Sequence, residues 1–231
     1  MVKAIRQLIL GCVCGISSLS AESLQEKKIQ EMKHHILNQN PPLEGWCSKE
    51  KAQHFIDLVF QCKPQVCVEL GVYCGASLYP VAAALKHLDE GVVIGIDAWD
   101  KLECVKYLDP IEDEHHLAWW TKIDLSNCYV NLKKFIRRNG LDKSCVLLRK
   151  SSIKAVTDLG EIDILHIDGN PSEIIRTQEV LLYLPKVKTG GYIWFNDVLN
   201  INSQQAVELL LQSCDVIKLI DNGNCILFQK R

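Results

Sequence analysis

The chain is predicted to fold as an α/β protein, a doubly wound and mostly parallel sheet that finishes in an antiparallel hairpin strand. Three observations carry this. From residue 64 onward, short and almost wholly apolar runs alternate with stretches of helical period, the pattern of strands buried under helices on both faces. Near the C-terminus, Asn222-Gly223 lies between the β-rich runs Val216–Ile220 and Cys225–Phe228. Asn-Gly favours the positive φ of a hairpin, so the last strand must run against its neighbour. With 231 residues, 48% hydrophobic and 23% charged, the chain has room for one well-buried domain and is neither disordered nor fibrous in composition.

The N-terminus reads as an addition to that domain. Lys3 and Arg6 precede the apolar run Leu8–Ile16, and small residues follow through Ser17–Ala21, the order of a secretory signal peptide ending near Ala21. The run is shorter than the ~18 residues a spanning helix needs. Residues 1–21 are therefore a signal peptide, or a leader whose helix packs on the domain. Residues 22–63 form an N-terminal helical extension. It comprises a polar helix over 22–40, ended by Pro41-Pro42, and a helix over Lys49–Cys62. Ser48 is the N-cap of the second, with His54, Phe55, Leu58 and Val59 at helical spacing.

Residues 64–231 form the main domain. Strands are expected at Val66–Leu70, Val92–Ile96, Cys145–Leu148, Ile162–Ile167 and Tyr192–Phe195. Helices are expected at Ala76–Leu88, Ser126–Asn139, Ile153–Leu159, Glu173–Leu184 and Ser203–Cys214.

A formal charge of −2 supplies no global basic field for nucleic acid or an anionic membrane. Lys133, Lys134, Arg137 and Arg138 read as a solvated helix face. Of eleven cysteines, two fall in residues 1–21 and none of the other nine forms a Cys-x-x-Cys pair. Most sit in apolar runs, as buried free thiols do. This favours a reducing, cytoplasmic compartment, with export as the alternative that the leader keeps open.

Chemistry concentrates at the ends of the strands. The first runs into Glu69-Leu70-Gly71-Val72-Tyr73-Cys74-Gly75-Ala76-Ser77 and a helix begins at once. Glycines there allow a tight turn and close approach to a ligand, and the helix N-terminus offers free N–H donors. The second ends in Asp97-Ala98-Trp99, where an acidic residue can accept both hydroxyls of a ribose and an indole can lie against a purine.

These segments, with His166-Ile167-Asp168-Gly169 and Gly190-Gly191-Tyr192-Ile193-Trp194-Phe195-Asn196-Asp197, stand in the order and spacing of class I S-adenosylmethionine-dependent methyltransferases. Residues 64–231 resemble the bacterial small-molecule branch that includes sugar and antibiotic O-methyltransferases, and are similar to the catechol O-methyltransferase group. The resemblance implies a Rossmann-like seven-stranded sheet and methyl transfer from S-adenosyl-L-methionine to an oxygen of a small-molecule acceptor. It places Glu69, Gly71, Gly75 and Ser77 at the methionine end of the cofactor and Asp97 on the ribose. Trp99, Ser151 and Ser152 fall near the adenine, with Asp168 at the fourth strand tip. It also implies that Asp168, Asn196 and Asp197 hold Mg²⁺, a hard cation suited to oxygen ligands that would lower the acceptor's pKa.

The chain departs from the family at Asn170-Pro171, where an acidic residue and a histidine base often stand. Residues 98–125 greatly exceed the usual βα connection of ~2–6 residues and carry His115, His116, Trp119 and Trp120. Either histidine is a replacement base beside Asp168, and the segment is otherwise an acidic helix that its tryptophans pack to the body. His166 reads as a buried structural histidine. Two other functions fit parts of the pattern. A nicotinamide-dependent oxidoreductase lacks its Gly-x-Gly-x-x-Gly here, and a non-catalytic relative would keep the fold without the chemistry.

Overall fold

The computed structural model describes residues 26–111 and 113–231, so the expected leader over 1–21 lies outside the described residues. Two compact units divide at Pro41 and Pro42. Among the described residues the first contains helix α1, over 26–37. It stops short of residue 40, and the Asn38 side chain donates to the His34 carbonyl at 2.8 Å as the last turn closes.

The second unit runs from Pro42 to Arg231 and begins with α2 (Lys49–Cys62), whose N-cap Ser48 accepts from the Lys51 amide at 3.1 Å. There follow β1 (Val66–Leu70), α3 (Leu78–Leu88), β2 (Val92–Asp97), α4 (Lys101–Cys104), α5 (Glu114–Lys122), α6 (Leu125–Arg138) and β3 (Cys145–Arg149). Then come α7 (Ser152–Ala155), β4 (Ile162–Ile167), α8 (Glu173–Tyr183), β5 (Val187–Asn196), α9 (Gln204–Ser213), β6 (Cys214–Ile220) and β7 (Cys225–Lys230). Among the described residues no helix is long and apolar enough to cross a membrane.

The seven strands form one sheet in the order β3-β2-β1-β4-β5-β7-β6. Pairings among β1 to β5 are parallel, and β7 is antiparallel to both β5 and β6. This is the Rossmann-like sheet that the alternation and the hairpin predict. The hairpin turn differs in detail. Ile220 pairs with Cys225 across a four-residue loop, and Asp221, Asn222 and Gly223 all take positive φ, so Asn-Gly supplies two of three left-handed residues. Strand β5 also starts five residues earlier than its apolar run, with Gly190-Gly191 inside it. A Cβ on Gly191 would lie 3.0 Å from the Asp163 carbonyl, at the point where the β4–β5 register shifts.

One face of the sheet buries Val68, Leu70, Leu165, Ile167, Ile193, Phe195 and Phe228 with Val180 and Tyr183 of α8 and Leu210 of α9. The other face carries α2, whose Phe55 stacks on Trp194 with ring centroids 4.2 Å apart and meets His166 edge-on at 4.9 Å. Strand order reverses between β1 and its neighbours β2 and β4, and ligands of doubly wound sheets enter beyond the carboxyl ends of such strands. Helix α2 is part of this packing, so Phe55→Ala should destabilise the whole cooperative unit by about 3–5 kcal/mol, read as a lowered urea midpoint with a single transition.

Candidate functional site

The loop from β1 to α3 is held from beneath by one carboxylate. Asp97 Oδ2 accepts from the amides of Val72 at 3.0 Å and Tyr73 at 2.9 Å. Its Oδ1 accepts from the Trp99 amide at 2.6 Å. Tyr73 and Trp99 both sit at positive φ, a conformation non-glycine residues hold only when neighbours over-determine it. Burial pushes the Asp97 pKa up while these three donors pull it down. The Trp99 indole N–H donates to the Tyr73 carbonyl at 2.7 Å, and its ring packs on Tyr129.

Asp97 and Trp99 therefore both hold the loop. A carboxylate accepts about four hydrogen bonds and three are used here, leaving room for one ribose donor instead of the expected pair. Gly71 has a different reason from ligand approach. A Cβ there would stand 2.2 Å from the Asp168 carbonyl oxygen, so glycine lets the β1 loop touch the β4 tip. Gly75 makes the same allowance for Leu132 of α6. Ser77 donates to Glu69 Oε1 at 2.5 Å and so makes no cap bond to α3. An open groove of about 590 Å³ lies beside Trp99, between Asp100, Lys101, Lys122, Asp124 and Arg149. Ser151 and Ser152 follow β3 near this edge, and the Ser152 carbonyl accepts from Tyr183 at 2.6 Å.

At the tips of β1 and β4 a line of acidic and basic side chains runs inward. Lys51 Nζ lies 3.9 Å from Asp168 Oδ2, His166 Nε2 lies 3.7 Å from the same oxygen, and His166 Nδ1 lies 3.6 Å from Glu69 Oε1. Neither ring nitrogen of His166 has a hydrogen bond. Burial pushes the Asp168 pKa up, against the pull of Lys51 and His166. Burial likewise opposes the Lys51 charge, but Asp168 and neighbouring groups outweigh it and raise the pKa. Lys51 and His166 are the residues that sequence reasoning underrated. The available signal was that Lys51 lies four residues before Phe55, on the apolar stripe of α2.

The three residues expected to hold a divalent cation do not fit one. Asp197 turns to Arg176 Nη2 at 2.9 Å and Asn224 Nδ2 at 3.2 Å. Asn196 Oδ1 accepts from Trp194 Nε1 and Cys225 Sγ, each at 3.1 Å, leaving its amide for Asp168. The ammonium of Lys51 already faces Asp168, and a second cation there would be repelled. Among the described residues no group of three His, Cys, Asp or Glu side chains is placed to hold a metal.

The long segment after β2 folds into α4 and α5 and is tied down by Asn170. That side chain donates toward the carbonyls of Glu103 at 2.8 Å, Cys104 at 3.0 Å and Lys106 at 3.1 Å, and accepts from Ser172 at 2.8 Å. The His115 and His116 rings lie with centroids 4.0 Å apart and planes tilted by 39°. His116 has its pKa lowered by burial and by His115, while Asp113 and Asp197 oppose the shift. His115 points to solvent. Trp119 and Trp120 join Trp46 and Tyr73 in an aromatic cluster with centroids 4.6–6.0 Å apart, and Trp46 is 64% exposed.

A family model for a methyltransferase domain matches residues 68–198. Among solved structures the chain is similar to the O-methyltransferase NovP, at 16% identity and TM-score 0.63 over 79% of this chain and 80% of that one. It is similar to the SAH-bound Podospora anserina methyltransferase PaMTH1, at 14% identity and TM-score 0.56 over 88% and 87%. It also resembles a methyltransferase from Geobacter sulfurreducens, at 13% identity and TM-score 0.54 over 87% of each chain. At these identities the likeness is one of fold. No curated protein sequence matches the chain.

Two outcomes follow from the geometry. Asp97→Asn puts an amide N–H₂ against backbone donors, and should lower stability by about 1–3 kcal/mol in chemical denaturation. Glu179 is buried beneath Gly169, with Oε2 unpaired, and burial lifts its pKa from 4.5 to about 7. The folded state thus binds the extra proton, so stability is full below about pH 4.5 and is lost as pH rises through about 7, by about 3 kcal/mol. Glu179→Gln should therefore raise the melting temperature at pH 8 and leave it nearly unchanged at pH 4.

Proposed function

The chain belongs to this methyltransferase family, and on that premise we propose that it transfers a methyl group from S-adenosylmethionine to a hydroxyl oxygen of a small molecule. The observation that carries the reading is the β1–α3 loop, whose backbone Asp97 locks against the β4 tip at the switch point of a methyltransferase sheet. The name of the PaMTH1 structure, SAH-bound, supports the same cofactor pair for this fold. When bound, that cofactor supplies an electrophilic methyl on a sulfonium, and transfer needs in-line approach of the acceptor oxygen.

The remaining work falls to side chains of this protein. Glu69, Ser77 and the turn from Gly71 to Gly75 shape the methionine end, with Asp168 across from them. The groove beside Asp100 and Arg149 takes the adenosine end. His116 accepts the acceptor's proton, because its lowered pKa keeps the imidazole neutral near pH 7. His115 contributes by making protonation of His116 costlier. The aromatic cluster of Trp46, Tyr73, Trp119 and Trp120 walls the acceptor side. No step runs through a divalent cation.

A second reading, a cofactor-binding protein that no longer transfers methyl groups, is favoured by one observation: Asn170 is wholly used in tying down α4, and Pro171 beside it cannot act as a base. Titration calorimetry of the full chain with S-adenosylmethionine and S-adenosylhomocysteine tests the shared premise. Micromolar binding of both, with none of NADH, is the expected result. Binding of NADH alone sinks it. A His116→Ala variant that still binds the donor but loses methylation of an acceptor favours the enzyme over the second reading.

A further inference from the structure

Where the β1 loop meets the β4 tip, two opposite charges stand close without joining. Lys51 Nζ is 3.9 Å from Asp168 Oδ2, beyond hydrogen-bond distance. Its hydrogen bond goes to the Trp46 carbonyl at 3.1 Å. An ammonium carries three donors, so two have no acceptor within reach although Lys51 is only 2% exposed. On the far side of Asp168, both nitrogens of buried His166 also lack hydrogen bonds. Buried polar groups are nearly always paired because leaving one unmade is costly. Several such groups around one partly open carboxylate mark a place shaped for a polar ligand. Gly71 comes against the backbone carbonyl of the same Asp168.

We propose that Lys51 and Asp168 together recognise the amino-acid end of S-adenosylmethionine, Lys51 binding its α-carboxylate and Asp168 its α-ammonium. An α-amino acid presents both charges on one carbon, and a lysine–aspartate pair held just short of contact complements both. The assignment rests on the cofactor reading above. It adds a binding residue from α2, outside the matched residues 68–198, and it accounts for the misfit of a divalent cation at Asp168.

The test is calorimetric titration of the full chain with two probes, S-adenosylhomocysteine and methylthioadenosine. The second keeps the adenosine and the thioether but lacks the amino-acid end. Wild type should bind S-adenosylhomocysteine more tightly. Lys51→Met should weaken that binding by about ten- to a hundredfold with methylthioadenosine affinity unchanged, and Lys51→Arg should restore part of the loss. A Lys51→Met protein that keeps the wild-type ratio of affinities overturns the proposal, as does a wild type that binds both probes equally. Loss of both probes in Lys51→Met would make the lysine a support of the fold alone, and overturns it too. Binding of neither probe by wild type is a different result, which removes the cofactor reading and this assignment with it.

Discussion

The carboxyl edge of the sheet depends on the Asp97 carboxylate. Two amides of the β1–α3 loop and one from the segment after β2 converge on its oxygens, so a single side chain sets the conformation of both connections. Positive φ at Tyr73 and Trp99 is the local strain this creates. Gly71 is the matching constraint, since any side chain there would enter the Asp168 carbonyl. The loop, the β4 tip and the start of the long insertion are thereby fixed relative to one another before any ligand arrives.

The charges at this edge obey the same economy. Glu69, His166, Asp168 and Lys51 form a line of alternating acid and base from the end of β1 to α2. Each is too buried to be left alone, and Lys51 and Asp168 favour each other's charged forms across 3.9 Å rather than through a direct hydrogen bond. Because Phe55 anchors α2 on Trp194 and His166, the helix that carries Lys51 cannot shift without exposing the line. An element that looks like an N-terminal extension thus determines the electrostatics of the central crevice.

The sheet was legible in the sequence because buried parallel strands are short apolar runs, and no other element combines that composition with regular spacing. Its boundaries slipped by one or two residues at the ends of β2, β3, β6 and β7, and by five where Gly190-Gly191 lies inside β5. The site was legible as positions but not as orientations. Asp97 and Trp99 lie at the predicted strand tip, yet whether a carboxylate faces inward or outward depends on which amides come within reach. That follows from the loop backbone, not from residue type. Asp197 likewise stands at the expected tip, but Arg176, twenty-one residues earlier, claims it. Lys51 was hidden for the opposite reason. A lysine on a helix is ordinarily solvated, and only the packing of α2 on the sheet buries it.

Asn170 shows how one side chain can fix a long connection. In the resemblance read from sequence, the residues after Ile-Asp-Gly often include a base. Here the amide instead holds the carbonyls at the end of α4, and on the next helix, α5, burial lowers the His116 pKa while Asp113 and Asp197 oppose the shift. Tying the insertion down is what the proposed base requires, because a base on a free loop would lose orientation as often as it gained reach. The proposed acceptor wall of Trp46, Tyr73, Trp119 and Trp120 draws on the segment before α2, the Asp97-held loop and α5. Each of its three sources is one that these contacts hold in place, so on the proposed reading the acceptor side is built from the same constraints as the cofactor end.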